Sequence, residues 1–258
     1  MQRVQAEGLT WYTFSDAPSA PFRHALVTRL GGVSRGPLAA LNLGSSVGDD
    51  PVAVAENHRL LFAALDLPRE RVVSPHQVHG RRVARVGRED GGAIIPDTDA
   101  LITNTPGTAL LLRFADCAPV LLYDPVHRAA GLAHAGWRGA AGGVVAATLN
   151  AMYEVFGSRP GDMWAGIGPA IGPDHYIVGS EVVAAIAATL PGDIGVAVLR
   201  EGQWYLDLPG ALAAQLTALG VSRVTRAGVC TACHTEEWYS HRQERGRTGR
   251  FGALVMLD

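Results

Sequence analysis

Residues 109–139 read ALLLRFADCAPVLLYDPVHRAAGLAHAGWRG. Apolar runs at 109–114 and 120–123 have the length and composition of buried strands, and Ala115-Asp116-Cys117-Ala118-Pro119 lies between them. Pro125 closes the second run. A third run, 129–133, ends in His134-Ala135-Gly136-Trp137-Arg138-Gly139, and an Ala-rich helix is predicted over 143–156, stopped by Gly157 and Pro160. Working outward, 25–34 reads as a strand running into a glycine turn. Residues 51–65 suit a helix started by Asp50 and Pro51. Strands are expected at 164–167, 224–229 and 253–257, and helices at 181–189 and 209–219. Strands and helices intermingle without a regular βαβ rhythm. The expectation is therefore an α+β fold: a single domain over residues 1–258, with a mixed β-sheet core flanked by helices.

The composition excludes several classes. Hydrophobic residues make up 48% of the 258 and charged residues 18%, an ordinary globular balance. The formal net charge of −2 carries no basic field, so neither nucleic acid nor a membrane surface is an expected partner. The one local basic cluster is Arg242, Arg245, Arg247 and Arg250. Met1 to Phe14 holds no continuous apolar core, so no signal peptide is expected, and no later run is long enough to span a bilayer. Three cysteines do not build a disulfide framework. A reducing cytoplasm is the expected location, and a monomer the expected state.

Polar residues that interrupt apolar strands are the candidates for chemistry. Cys117 sits where two apolar runs meet, and a strand-end loop is where a rigid scaffold presents reactive groups. A buried structural cysteine is the plain alternative. His134 ends a strand and enters a turn with two glycines and Arg138 ahead of a helix, a combination suited to an anion. His79, in Pro75-His76-Gln77-Val78-His79-Gly80, reads by itself as a loop residue. Cys230-Thr231-Ala232-Cys233-His234 spells C-x-x-C-H, the haem-attachment pattern, but that use needs export. His234 and His241 are the only further donors near this pair in sequence. Cys230 and Cys233 are expected to be free thiols holding neither haem nor the catalytic metal.

Four blocks in order, Gln77–Gly80, Asp97-Thr98-Asp99-Ala100-Leu101-Ile102-Thr103, Ala115–Val120 and His134–Gly139, resemble the signature blocks of the YfiH-type family, also called the laccase-domain or purine nucleoside phosphorylase family. Thr28-Arg29, Gly31–Ser34, Leu41–Gly44, Asn57, Ile167-Gly168-Pro169, Cys230-Thr231 and Thr248-Gly249-Arg250 extend the resemblance over nearly the whole chain. It departs at Tyr176-Ile177-Val178, where many relatives carry a glutamate at the position of Ile177.

The resemblance implies zinc on His79, Cys117 and His134, leaving a fourth position open as in catalytic zinc sites. Copper is the alternative occupant, since it outranks zinc for such ligands. The same three residues are the implied catalytic group, and Arg29, Arg138 and Arg250 the candidates for binding phosphate. The implied reaction is phosphorolysis of purine nucleosides (adenosine, inosine, guanosine, methylthioadenosine) by phosphate, with adenosine deamination as a second activity. The family's fold is shared with toxin deamidases, which leaves a cysteine hydrolase in peptidoglycan precursor editing as a rival. A copper-dependent polyphenol oxidase and a non-catalytic binding protein are further alternatives. A multicopper cluster is excluded by the histidines themselves: there are 9, and no two are spaced His-x-His.

Overall fold

The architecture, taken from a computed structural model that describes all 258 residues, is built on two large stacked sheets. The first runs β1 (Gln2–Ala6), β2 (Leu9–Thr13), β3 (Phe22–Val27), β16 (Phe251–Leu257), β8 (Ala109–Phe114), β4 (Val72–Pro75), β6 (Ile94–Ile95). The second runs β15 (Arg223–Arg226), β11 (Trp164–Ile167), β9 (Ala118–Asp124), β10 (Ala129–Ala135), β7 (Ala100–Thr103), β5 (Val83–Arg85). A small third sheet orders β12 (Ile177–Val178), β14 (Gln203–Leu206) and β13 (Ala197–Arg200). The helices are α1 (Pro51–Ala64), α2 (Trp137–Ala141), α3 (Val144–Phe156), α4 (Ser180–Ala187) and α5 (Leu208–Ala218). The pairs β4–β8, β4–β6, β5–β7 and β11–β15 are parallel and the rest antiparallel, so both large sheets are mixed, as expected.

The uninterrupted apolar runs follow from burial on both faces. Along β8, Leu110, Leu112 and Phe114 face the second sheet, where they meet Leu121 and Tyr123 of β9 and Leu132 of β10. The alternate residues Ala109 and Leu111 face α1, whose Leu61 closes a separate cluster with Leu254 and Met256. Val120 and Leu122 of β9 point the other way, onto Val145, Leu149 and Met152 of α3 and Leu212 and Leu216 of α5. The order of layers is therefore α1, first sheet, second sheet, then α3 with α5.

Local signals explain several boundaries. Asp50 accepts a hydrogen bond from the Val52 N–H and Pro51 opens α1, the start read from the sequence. Gly157, at φ 78°, ends α3 in the left-handed conformation that a side chain resists. Other boundaries differ from expectation. The strand predicted over 224–229 stops at Arg226, and that over 25–34 occupies Phe22–Val27. The turn after His134 winds into α2, five residues and too short to show a period.

Beside the core, His24 accepts the Phe14 N–H at Nε2 over 2.8 Å, so its ring must be neutral. Burial lowers its pKa to about 4, against a small upward pull from Asp16. The unfolded ring titrates near 6.5, so the unfolded chain takes up this proton first. His24 thus contributes stability that is complete above about pH 6.5 and is lost as pH falls toward 4, by at most ~1.4 kcal/mol per pH unit. Urea unfolding at pH 7.5 and 5 should show this loss, and His24→Gln should flatten the pH dependence by about one proton. An unchanged slope in that variant would remove His24 as the source.

Candidate metal centre

Cys117 lies at the crossover between the two large sheets. β8 of the first sheet ends at Phe114, β9 of the second begins at Ala118, and a bend of three residues joins them. Asp116 takes φ 81° in that bend and is held on three sides. Its Oδ1 accepts from the Thr231 hydroxyl at 2.7 Å, its Oδ2 from the Arg242 N–H at 2.7 Å, and its carbonyl from the Ile171 N–H at 3.0 Å. The strained corner therefore has one conformation, and the thiol beside it a fixed direction.

His134 stands in β10 in register with Pro119 of β9, which places it next to Cys117 across the ladder. His79 comes from the loop after β4 and takes φ 60°. Gln77 anchors that loop to β8 by exchanging both hydrogen bonds with the Arg113 backbone: its Nε2 donates to the carbonyl at 2.8 Å and its Oε1 accepts from the N–H at 2.9 Å. The ligand atoms of His79, Cys117 and His134 all lie within 4.8 Å of one another, so the three expected ligands converge. Gly136 makes this approach possible: a Cβ there would stand 2.7 Å from Cys117 Sγ and 3.5 Å from the His79 ring.

Asp99, fully buried just before β7, ties the two histidines together. Its Oδ1 accepts from the His79 N–H at 2.9 Å and from His134 Nδ1 at 2.8 Å. Its Oδ2 accepts from the Val78 and Gly80 N–H groups at 3.2 and 2.7 Å. Burial alone would raise this carboxyl; the hydrogen bonds from His134 and the amides outweigh it and hold it below the usual carboxylate range. Because a carboxylate only accepts, Nδ1 of His134 carries the hydrogen, and Nε2 is free to face Cys117 or an ion. Asp99 lies inside a block that resembles the family's, and nothing in its local sequence assigns it a role. A carboxylate in such a block is the signal that a histidine ligand needs an orienting partner.

The charges at the triplet are coupled. Burial pushes the Cys117 thiol up, but the neighbouring His134 charge and hydrogen bonds from both histidines bring it down to about 6. Burial pushes His134 down, and Cys117 and Asp99 reverse this to about 9. Each group thus favours the charged form of the other, the thiol toward thiolate and the imidazole toward the protonated ring. One thiolate and two imidazoles with a satisfied outer carboxylate form the donor set of a site for zinc or copper, so the residues fit the expected ion.

Of the three expected phosphate arginines, Arg29 is engaged elsewhere. It donates to the carbonyls of Ala39 and Thr235 at 2.8 Å, pairs with Glu244 at 3.0 Å, and stacks on Tyr239 at 4.2 Å. It lines a cleft with Thr235 and Glu236. Arg250 donates to its own loop carbonyls of Thr248 and Gly249, with its charge in the field of Cys117 and Asp116. Arg138 is exposed and stacks on Trp137 at 4.8 Å.

Two further residues were missed. Arg242 lies 5.2 Å over the Tyr176 ring and donates to the Ile177 carbonyl at 2.7 Å, so position 177 serves through its backbone. Tyr176 is pushed well above the ordinary phenol range by burial and then by the Cys117 charge, which keeps its hydroxyl protonated. A cavity of about 840 Å³ lies elsewhere, between α1 and the β4–β8 edge. It holds no thiol, and its half-buried Arg113 and His58 are directed at the carbonyls of Pro75 and Leu43.

Cys230 and Cys233 stand as free cysteines. The expectation that further donors could come only from His234 or His241 is corrected: His175 Nδ1 lies 3.8 Å from Cys230 Sγ and 3.5 Å from Cys233 Sγ. The Ala170–Cys230 bridge brings that distant segment alongside.

Fold and site define a class: an α+β protein with a Cys-His-His cluster at the junction of two stacked mixed sheets. The family described as multi-copper polyphenol oxidoreductase laccase matches residues 23–258, and the chain belongs to it. It is 39% identical to the purine nucleoside phosphorylase YlmD of Geobacillus stearothermophilus, over 97% of this chain and 96% of that protein. It is 40% identical to a purine nucleoside phosphorylase of Deinococcus radiodurans, over 93% and 91%. Among solved structures, YlmD of Geobacillus stearothermophilus superposes with a TM-score of 0.93 at 38% identity, covering 98% of this chain and 97% of that one. The hypothetical protein YfiH of Bacillus licheniformis gives 0.91 at 31%, covering 98% and 97%. No helix is long and apolar enough to cross a membrane.

Proposed function

We propose that this chain is a zinc-dependent purine nucleoside phosphorylase, converting adenosine, inosine, guanosine or methylthioadenosine with phosphate into base and pentose 1-phosphate. The observation that carries the reading is the convergence of His79, Cys117 and His134 within 4.8 Å, braced by Asp99, in a chain 39–40% identical to phosphorylases over most of its length. Zinc held by these three residues supplies Lewis-acid stabilisation of negative charge. Three free thiols fit a reducing, cytoplasmic setting for the enzyme.

In phosphorolysis a phosphate oxygen attacks C1′ of the pentose as the C1′–N9 bond breaks, and the bonding pair leaves with the purine, which takes up a proton. Catalysis rests on placing an anion beside an oxocarbenium-like sugar and on stabilising the departing base. Arg242, whose backbone N–H donates to Asp116, and Arg250, in the field of Cys117 and Asp116, would supply positive charge suited to phosphate, together with Arg138, in whose field Tyr176 lies. The Tyr176 hydroxyl, kept protonated, is a hydrogen-bond donor rather than a base. Asp99 fixes the tautomer and direction of His134. Arg242→Ala should raise the KM for phosphate about tenfold to a hundredfold, as loss of a charge-assisted hydrogen bond does, with a smaller change in kcat. An unchanged phosphate KM would remove Arg242 from the anion site.

A second reading is favoured by one observation. Cys117, His134 and Asp99 line up as nucleophile, base and orienting carboxylate, the arrangement of a cysteine hydrolase. The experiment that separates the two incubates purified protein with adenosine, with and without phosphate, before and after chelation. The proposal expects adenine and ribose 1-phosphate only when phosphate and metal are both present, and inosine as the mark of any deamination. Turnover of an amide substrate that survives chelation, with no phosphate-dependent base release, would favour the hydrolase.

A further inference from the structure

The geometry points to a second metal site, formed by His175, Cys230 and Cys233, that takes a thiophilic ion such as zinc and locks the segment behind the Cys117 corner. It uses none of the residues of the first cluster and stands whether or not the chain is a phosphorylase.

The ligand atoms of these three residues also lie within 4.8 Å of one another. Two residues separate the cysteines, the spacing with which zinc ribbons and knuckles grip one ion through both sulfurs. The imidazole arrives from another part of the chain, His175 lying 55 positions before Cys230, so the cluster is a product of the fold. Around it, the Gly172 N–H donates to Cys230 Sγ at 3.1 Å, the kind of contact that stabilises a thiolate on a metal. Gly172 also permits the approach: a Cβ there would stand 3.2 Å from that sulfur.

The neighbouring carboxylates define which ion would bind. Asp174 pairs with Arg200 at 3.0 Å, and Asp207 accepts from the Gly210 N–H at 2.8 Å while facing Arg226 at 3.5 Å. The converging ligand atoms are two sulfurs and one imidazole, a soft set that selects zinc or copper over calcium or magnesium. A cavity of about 410 Å³ lined by His175, Cys230 and Cys233 leaves room for a solvent ligand in the fourth position.

An ion here would act on the first site through the backbone. Thr231, between the two cysteines, donates its hydroxyl to Asp116, and Ile171, just before Gly172, donates its N–H to the Asp116 carbonyl. Joining His175 to Cys230 and Cys233 ties both of these contacts together one residue from Cys117. The site is a brace, and it touches no reacting atom.

The test compares wild type with two variants, Cys117→Ser and the double variant Cys230→Ser/Cys233→Ser. Each is stripped with chelator under reductant and reloaded with zinc, or with cobalt as a spectroscopic probe. The expected result is about two equivalents in wild type and about one in each variant. Cobalt bound to Cys117→Ser should show thiolate charge transfer roughly twice as intense per ion as in the double variant, since it has two sulfur ligands instead of one. Zinc should also raise the melting temperature of Cys117→Ser. Cys117→Ser keeps the second cluster intact, so it decides the matter even if the double variant does not fold. A wild type that binds one equivalent, with none left in Cys117→Ser, would overturn the proposal.

Discussion

Replacing Cys117 with Ala should reduce turnover by about 10³-fold or more, beyond the roughly 10–100-fold typical of losing an outer-shell partner. The fold should survive. Cys117 is half-buried in a bend set by Asp116, whose hydrogen bonds to Thr231, Arg242 and Ile171 do not involve the sulfur. Removing one sulfur atom leaves a small gap beside Gly136, worth ~1 kcal/mol of stability. Zinc at this site should be lost together with activity, because two imidazoles alone make a weak site. The checks are steady-state kinetics, metal content and urea unfolding on the same preparation. A Cys117→Ala protein with wild-type turnover would remove the metal reading and the nucleophile reading together.

Asp99→Asn should be the next most damaging change, although it alters neither size nor shape. The carboxylate accepts four hydrogen bonds, two at each oxygen, and three come from backbone N–H groups that cannot turn away. An amide presents one oxygen and an NH₂ group, so whichever way it is placed, its NH₂, at the fully buried position 99, faces at least one backbone N–H donor. That arrangement costs about 1–3 kcal/mol for each unsatisfied group. His134 also loses the acceptor that fixes its tautomer, which should weaken zinc about 10–100-fold. Competition with a chromophoric chelator reads the affinity, and urea unfolding reads the stability. Wild-type zinc affinity in Asp99→Asn would mean that the carboxylate does not orient the ligand.

The strands that could be read from the sequence are those buried on both faces. β8, β9 and β10 are nearly all apolar because one face meets the other sheet and the opposite face meets a helix. α1 and α3 carry their own punctuation in Asp50-Pro51 and Gly157. The short strands of the third sheet give no such signal: they are two to four residues long and partly exposed. At the site, the three ligand positions came from a family resemblance, since His79 by itself reads as a loop residue. Neither Asp99 nor His175 could be placed from local sequence. Each acts across the fold, Asp99 on His134 35 residues later and His175 on cysteines 55 and 58 residues later. Arg29 shows the same limit, since of its partners Ala39, Thr235, Glu244 and Tyr239 the last three come from a distant part of the chain.

The central claim is that His79, Cys117 and His134 hold one metal ion. It is tested most directly by anomalous diffraction at the zinc edge from a crystal grown with zinc and reductant. The expected result is a single peak among the three side chains, about 2.0–2.1 Å from a nitrogen of each histidine and about 2.3 Å from Cys117 Sγ. Whatever density stands at His175, Cys230 and Cys233, the absence of any peak at the first cluster in zinc-replete crystals would contradict the account.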